Sequence, residues 1–196
     1  VGISLLTRDV ERMEKVAEIT KQTLGKCFVV CGGVHPTVLP ESVLKNRNID
    51  YIVIGEGEET MLALIKCIRD RKDINNVKGI AFLNKRCEIQ FTPPRPYICN
   101  LDVLPFPNRD LLPDVNAVSN LKTGYLPLPA PQLDIMVARG CPYNCAFCQP
   151  SARKMFGMRV RWRSPENVIA ELKFLKKRYK IMGAEIESDT FTANKN

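Results

Sequence analysis

The feature that most limits what this chain can fold into is its alternation of short apolar runs with amphipathic segments over residues 1–78. Val1-Gly2-Ile3-Ser4-Leu5-Leu6, Cys27-Phe28-Val29-Val30-Cys31 and Tyr51-Ile52-Val53-Ile54 have strand length. The second run has no polar interruption, as expected of a strand covered by helices on both faces. A helix is expected after Thr7 or Asp9, with Val10, Met13, Ala17 and Leu24 inward and Gly25 at its end. A short helix over residues 40–45 and a longer one carrying Met61, Leu62, Leu64, Ile65 and Ile68 follow. The order β-α-β-α-β-α predicts a parallel sheet with right-handed crossovers. Ligands of such sheets bind at the carboxyl ends of the strands. Ser4, Gly32-Gly33 and Gly55-Glu56-Gly57 all fall there. A single glycine pair reads as a turn, but three small-residue loops on one edge weigh turn and ligand readings equally.

The pattern then changes. Residues 79–83 and 88–91 flank Asn84-Lys85-Arg86 and predict a hairpin. From Thr92 to Pro131, nine prolines preclude long regular elements. Residues 79–131 therefore read as a hairpin and a connector, packed because Ile98, Leu101, Leu104 and Phe106 need burial. Residues 132–196 form a second unit, opening with a strand over residues 133–138. Ser164-Pro165 marks a helix start, with Ser164 as N-cap and Pro165 at the first position. Val168, Leu172, Leu175 and Tyr179 make its expected buried stripe, and residues 184–191 the next strand.

Composition narrows the classes. A length of 196 residues allows one large or two modest domains. The chain reads as a portion of a longer protein, without a targeting segment and with apolar runs too short to span a bilayer. Its net charge of +8 gathers in Lys173, Lys176, Lys177, Arg178 and Lys180 and in residues 153–163. Clustered charge alone identifies no partner, so a solvated surface is favoured over nucleic acid. Cys27, Cys31, Cys67 and Cys87 are scattered without a framework, which favours a reducing cytoplasm. His35 is the only histidine, so a Ser-His-Asp triad and a multi-histidine metal site are both excluded within this chain. Beside Pro36, a local hydrogen bond is its favoured role.

Gly140-Cys141-Pro142-Tyr143-Asn144-Cys145-Ala146-Phe147-Cys148 is the chemical centre of the sequence. Its spacing, Cys-x3-Cys-x2-Cys, brings three thiolates from one loop. A four-iron cluster normally takes four, which leaves one iron without a protein ligand. Cys99 could complete the set, although nothing in the pattern places it there. Zinc would need a fourth Cys or His. A disulfide leaves an odd thiol, and a Cys-x2-Cys redox pair leaves Cys141 unexplained. The cluster is the favoured reading.

Arg139 to Cys148 resembles the signature of radical S-adenosylmethionine enzymes. That resemblance implies a [4Fe-4S] cluster on Cys141, Cys145 and Cys148, with S-adenosylmethionine on the open iron. Reductive cleavage would release a 5′-deoxyadenosyl radical. Phe147 matches the position lining the adenine pocket. Asp189 falls where the family holds the methionyl amino group, though Ser188-Asp189 is not the common Gly-Gly-Glu. Ser4-Leu5-Leu6, Gly32-Gly33 and Gly55-Glu56-Gly57-Glu58 are similar to the cobalamin-binding domain of the class B members. The resemblance implies that Ser4, Leu6, Gly32, Gly33, Gly55, Glu56 and Gly57 surround cobalamin. It implies an α/β fold: a partial Rossmann-like parallel-sheet domain over 1–78, then the first β/α unit of a partial TIM-type barrel. Methyl transfer or radical cyclisation would follow, on a small-molecule or natural-product substrate, with an electron donor such as flavodoxin or ferredoxin. The portion in hand is expected to be inactive alone. A radical methylthiotransferase acting on RNA or protein and a non-catalytic cobalamin or metal-binding module are the alternatives. Any Asp-x-His-x-x-Gly cobalt-ligand motif would precede Val1, and His35 does not match it.

Overall fold

The apolar runs at the start of the chain become three short parallel strands in the computed structural model, which describes residues 1–112, 129–148 and 151–193. Strand β1 (Gly2–Ser4) pairs with β2 (Val30–Gly32), and β2 pairs with β3 (Tyr51–Val53). The register sets Ser4 opposite Gly32, so the two strand ends finish level. Helix α1 (Val10–Leu24) links the first pair and buries Met13, Ala17 and Thr20. Leu24, expected inside, is 59% exposed at the frayed end before Gly25. Strand β2 starts three residues later than the apolar run suggested, and Phe28 remains exposed.

Residues 32–37 were expected to form a loop, but a five-residue helix, α2 (Val34–Val38), lies there. Gly33 enters it at φ +96, a conformation open mainly to glycine. Thr37 Oγ1 donates to the Gly33 carbonyl at 2.8 Å, closing the turn. Helix α3 (Pro40–Leu44) and helix α4 (Gly57–Arg69) complete this α/β layer. Helix α4 buries Thr60, Leu64 and Cys67, while Leu62 and Ile65 from the expected apolar set are exposed.

The predicted hairpin forms as β4 (Ile80–Leu83) and β5 (Ile89–Phe91). It does not stand apart as part of a connector. Strand β4 pairs antiparallel with β3, extending the sheet to five strands. The pairing covers what would otherwise be an open edge, and Ile80 and Ala81 are fully buried by it. Two compact units result: Val1–Tyr97 with Tyr143–Gly157, and Ile98–Pro142 with Met158–Asn196.

In the second unit, strand β6 (Gln132–Met136) runs parallel to β9 (Gly183–Glu187), and helix α6 (Pro165–Tyr179) connects them. Ser164 caps α6 by accepting from Asn167 N at 3.1 Å, as its sequence predicts. The run 133–138 breaks after Met136. Its last residues form β7 (Ala138–Arg139), antiparallel to β8 (Arg161–Trp162). The expected strand over 184–191 stops at Glu187. Leu133, Ile135, Val137, Leu175 and Ile181 build the core. Among them Glu171 is only 1% exposed. Arg109 Nη1 donates to its Oε1 at 2.9 Å and Arg163 Nη1 to its Oε2 at 2.6 Å. The same two arginines also donate to the Asp134 and Met136 carbonyls of β6. Helix α5 (Ser151–Phe156), which follows the cysteines, belongs to the first unit.

Candidate functional site

The carboxyl ends of β1, β2 and β3 gather Ser4, Gly32, Gly33, Gly55, Glu56 and Gly57 into one rim, as their positions after the strands imply. The rim is tied together through the backbone. Leu5 N donates to Gly32 O at 3.1 Å and His35 N to Leu5 O at 3.3 Å. A Cβ on Gly33 would lie 2.9 Å from Ser4 Oγ and 3.1 Å from Leu5 O. No side chain fits in that space, so the Ser4–Gly33 approach requires glycine. Gly55, at φ +75, carries the next loop. Leu5 is buried at the rim, whereas Leu6 turns outward and is exposed. Glu56 precedes α4 and is almost fully buried.

Thr37 is a rim residue that the sequence reading did not single out. Its hydroxyl accepts from Gly55 N at 3.0 Å and donates to Gly33 O, so one side chain joins the second and third loops. The signal was a hydroxyl four residues after the second glycine, informative only once residues 34–38 are helical.

His35 is a structural residue. Its ring is 5% exposed, with Nδ1 3.2 Å from Thr7 Oγ1 and Nε2 3.1 Å from Ser42 Oγ. Ser42 spends its one hydroxyl proton on Leu39 O at 2.8 Å. Nε2–H therefore donates to Ser42, and Nδ1 accepts from Thr7. Both nitrogens are occupied, in keeping with the local role expected.

Beside the rim lies a cleft of about 370 Å³ within the first unit. Gly55, Glu56, Phe91, Arg95, Tyr97 and Lys154 are among its walls. Arg95 is held in place by donating to Thr60 Oγ1 at 2.8 Å.

The cysteine loop is built differently. Gly140, at φ +98, turns the chain out of β7. Cys148 N donates to Cys145 O at 3.1 Å, a single turn carrying Ala146 and Phe147 at its tip. Phe147 is 93% exposed, and the thiols of Cys145 and Cys148 are exposed as well. Cys141 is half-buried and belongs to the second unit, while Cys145 and Cys148 belong to the first. Among the described residues, no three His, Cys, Asp or Glu side chains are gathered as a metal site. All eight cysteines are thiols rather than disulfides. Asp189 lies just past β9, where burial raises its carboxyl above the usual value.

Of the remaining cysteines, Cys31 and Cys67 are buried and serve packing, while Cys87 and Cys99 are exposed. Burial pushes Cys31, in the centre of the sheet, up to about 12. Cys67 is buried in a separate cluster beneath α4.

Residues 1–65 match the B12 binding domain family. Over all 196 residues the chain is 37% identical to the uncharacterized methyltransferase PH0819 of Pyrococcus horikoshii, covering 40% of that protein. It is 32% identical over 185 residues to the anaerobic magnesium-protoporphyrin IX monomethyl ester cyclase of Rubrivivax gelatinosus, covering 92% of this chain and 32% of that one. The radical S-adenosylmethionine methyltransferase TsrM from Kitasatospora setae shares the fold, with a TM-score of 0.74 at 18% identity over 98% of this chain and 38% of that one. The chain thus carries a B12 binding domain match at its start and is similar along nearly its whole length to a methyltransferase and to a cyclase. The matched residues 1–65 include the whole glycine rim. The chain spans about two fifths of the Pyrococcus relative and a third of the cyclase.

Two fits follow from the chemistry of these residues. The glycines of the rim let its loops close on one another, since the Cβ positions of Gly32, Gly33, Gly55 and Gly57 face Val53, Ser4 and Leu5, Met155 and Val53. The cleft of about 370 Å³ beside Gly55 and Glu56 offers space for a ligand. The loop offers three thiols within eight residues, the donor set of an iron–sulfur centre.

No helix among the described residues is long and apolar enough to cross a membrane.

Proposed function

We propose that the protein to which this chain contributes cleaves S-adenosylmethionine reductively and uses the product, with cobalamin, for methyl transfer or radical cyclisation. Cys141, Cys145 and Cys148 would hold a [4Fe-4S] cluster, and the rim from Ser4 to Gly57 would hold cobalamin. When bound, the cluster supplies one electron and the cobalamin a transferable methyl group. The chain's own residues bind and orient. Ser4, Gly32, Gly33 and Gly55 present backbone to the cobalamin, with Leu6 and Glu56 flanking them. Phe147 would turn its exposed ring to the adenine, and Asp189 would lie by the methionyl amino group. The raised carboxyl of Asp189 means that any ligand ammonium there would restore its charged form.

The observation that carries this reading is the membership of Tyr143–Gly157 in the first unit. Two of the three thiols thereby share a compact body with the glycine rim. The TsrM protein, similar in fold, has been solved with cobalamin and a [4Fe-4S] cluster. A small-molecule or natural-product substrate, and an electron donor such as flavodoxin or ferredoxin, complete the proposal. A methylthiotransferase with a second cluster is disfavoured, since Cys27 and Cys31 pack in one core and Cys67 in another.

The test is anaerobic reconstitution of the full-length protein. It should bind about four irons per chain, take up one cobalamin and release 5′-deoxyadenosine on reduction. An intact cluster without deoxyadenosine would refute the radical reading, and a colourless zinc protein would remove the cluster altogether.

A further inference from the structure

The segment 143–157 is held on the first unit by a contact that neither cofactor motif contains. Gly157 ends α5, its N–H donating to Arg153 O at 2.8 Å, and takes φ +79. A Cβ at Gly157 would lie 2.7 Å from Cε2 of Tyr97 and 3.2 Å from Cδ2 and Cζ. The ring of Tyr97 therefore comes closer to the Gly157 backbone than a Cβ there would allow without moving it, and the positive φ favours glycine as well. Two residues earlier, Met155 is buried, and its carbonyl lies 3.6 Å from the position a Gly55 Cβ would take. Helix α5 also packs along α2, the helix that starts directly after Gly33. The segment thus rests on the second and third rim loops and is pinned at its far end by Tyr97. Cys145 and Cys148 are exposed and share one turn, closed by the Cys148 N–H on the Cys145 carbonyl, directly ahead of α5 in the chain.

We propose that Tyr97 and Gly157 form a latch that positions Cys145 and Cys148, and that α5 couples these thiols to the occupancy of the glycine rim. The inference rests on the cluster and cobalamin assignments above. A ligand at the rim must displace or brace α2 and the Gly55 loop. Helix α5 lies on both, so bracing them steadies the thiols. Coupling of this kind is reciprocal: whatever cobalamin does for cluster retention, the cluster does for cobalamin affinity.

Tyr97 is a positioning residue, so its test needs a readout beyond activity. The full-length protein would be reconstituted anaerobically as wild type, Tyr97→Ala, Tyr97→Phe and Gly157→Ala. A chelator would then extract iron with and without cobalamin. We expect Tyr97→Ala and Gly157→Ala to lose iron about tenfold faster, and Tyr97→Phe, which keeps the ring, to match wild type. Cobalamin should slow extraction about fivefold or more in wild type, in the range usual for coupled sites, and have little effect in the two latch variants. Hydrogen exchange in residues 143–157 should rise in those variants while β1–β3 stay protected. Equal iron retention in Tyr97→Ala and wild type would overturn the latch. So would exchange rising equally in β1–β3, which would make Tyr97 an ordinary core contact. A wild type that binds no cluster fails the earlier functional reading instead, and the two failures are thereby distinct.

Discussion

The glycine rim and the cysteine loop both follow strand ends, yet they are organised by opposite means. The rim is complete within the polypeptide: Ser4, Gly33, Thr37 and Gly55 are joined by hydrogen bonds of 2.8–3.3 Å and by contacts that exclude any Cβ. The loop carries a turn closed by Cys148 N–H on the Cys145 carbonyl, an aromatic at 93% exposure and two exposed cysteines. A site built from backbone is specified by folding alone, because its groups must satisfy one another when buried. A site built from thiolates gains its main partner when a metal centre arrives, and binding energy then becomes ordering energy. The rim should therefore resist loss of its ligand, and the loop should depend on its own.

The largest effect that could break this contrast comes from replacing Cys141, Cys145 and Cys148 by alanine together. Iron content and deoxyadenosine release should fall to background. The unfolding free energy of the metal-free protein should change by less than about 1 kcal/mol, since two of the three positions are exposed and the third is half-buried. A drop of several kcal/mol in the metal-free protein would mean that the loop is pre-built like the rim. Next in size is Glu171→Gln in the second unit. Arg109 and Arg163 would remain nearly buried without their counter-charge. Breaking such a buried set from one side costs about 3–5 kcal/mol, measured by denaturant unfolding. Glu171→Leu together with Arg109→Met and Arg163→Met should recover much of that loss, because removing all the charges removes the desolvation penalty.

The same contrast explains which features were legible in the sequence. The rim glycines, the cap at Ser164 and the β/α order follow from local patterns, and local patterns survive into the fold. The placement of β4 and β5 on the edge of the first sheet did not follow, because hairpins carry no signal of which strand they join. Glu171 was not foreseen because it interrupts the stripe of Val168, Leu172 and Leu175 with a charge. Its burial depends on Arg109, 62 residues away. Thr37 was missed because its role requires α2, and Gly-Gly before a Pro reads as loop. The three cysteines were legible as a donor set by spacing alone. Their geometry was not, since the loop turns at Gly140 and again between Cys145 and Cys148, turns that the spacing does not specify.

Gly33→Ala sharpens the contrast from the other side. The substitution forces a Cβ within 3.2 Å of Ser4 and Leu5 and strains a positive φ. We expect a loss of about 1–3 kcal/mol in stability, together with weaker cobalamin binding, in the absence of any cluster. Unchanged stability would show that the rim is as loosely held as the loop.

The smallest expected effect is a pH dependence confined to the second unit. Asp110 accepts from Arg178 Nη2 at 3.1 Å and from Tyr179 Oη at 2.9 Å. The Arg178 hydrogen bond, then that of Tyr179, holds its carboxyl below the usual value of 3.8. A carboxyl with a lowered value in the folded state takes up fewer protons there than in the unfolded chain. Its contribution is therefore full above the unfolded value and is lost as pH falls through the lower folded one. Unfolding curves recorded from pH 6 downward should show Asp110→Asn losing its deficit relative to wild type as the medium becomes acid. Since the carboxylate and the guanidinium are about half exposed, raising the salt should shrink the difference. A deficit that persists unchanged into acid would assign the effect of Asp110 to its Asn108-capped turn rather than to its charge.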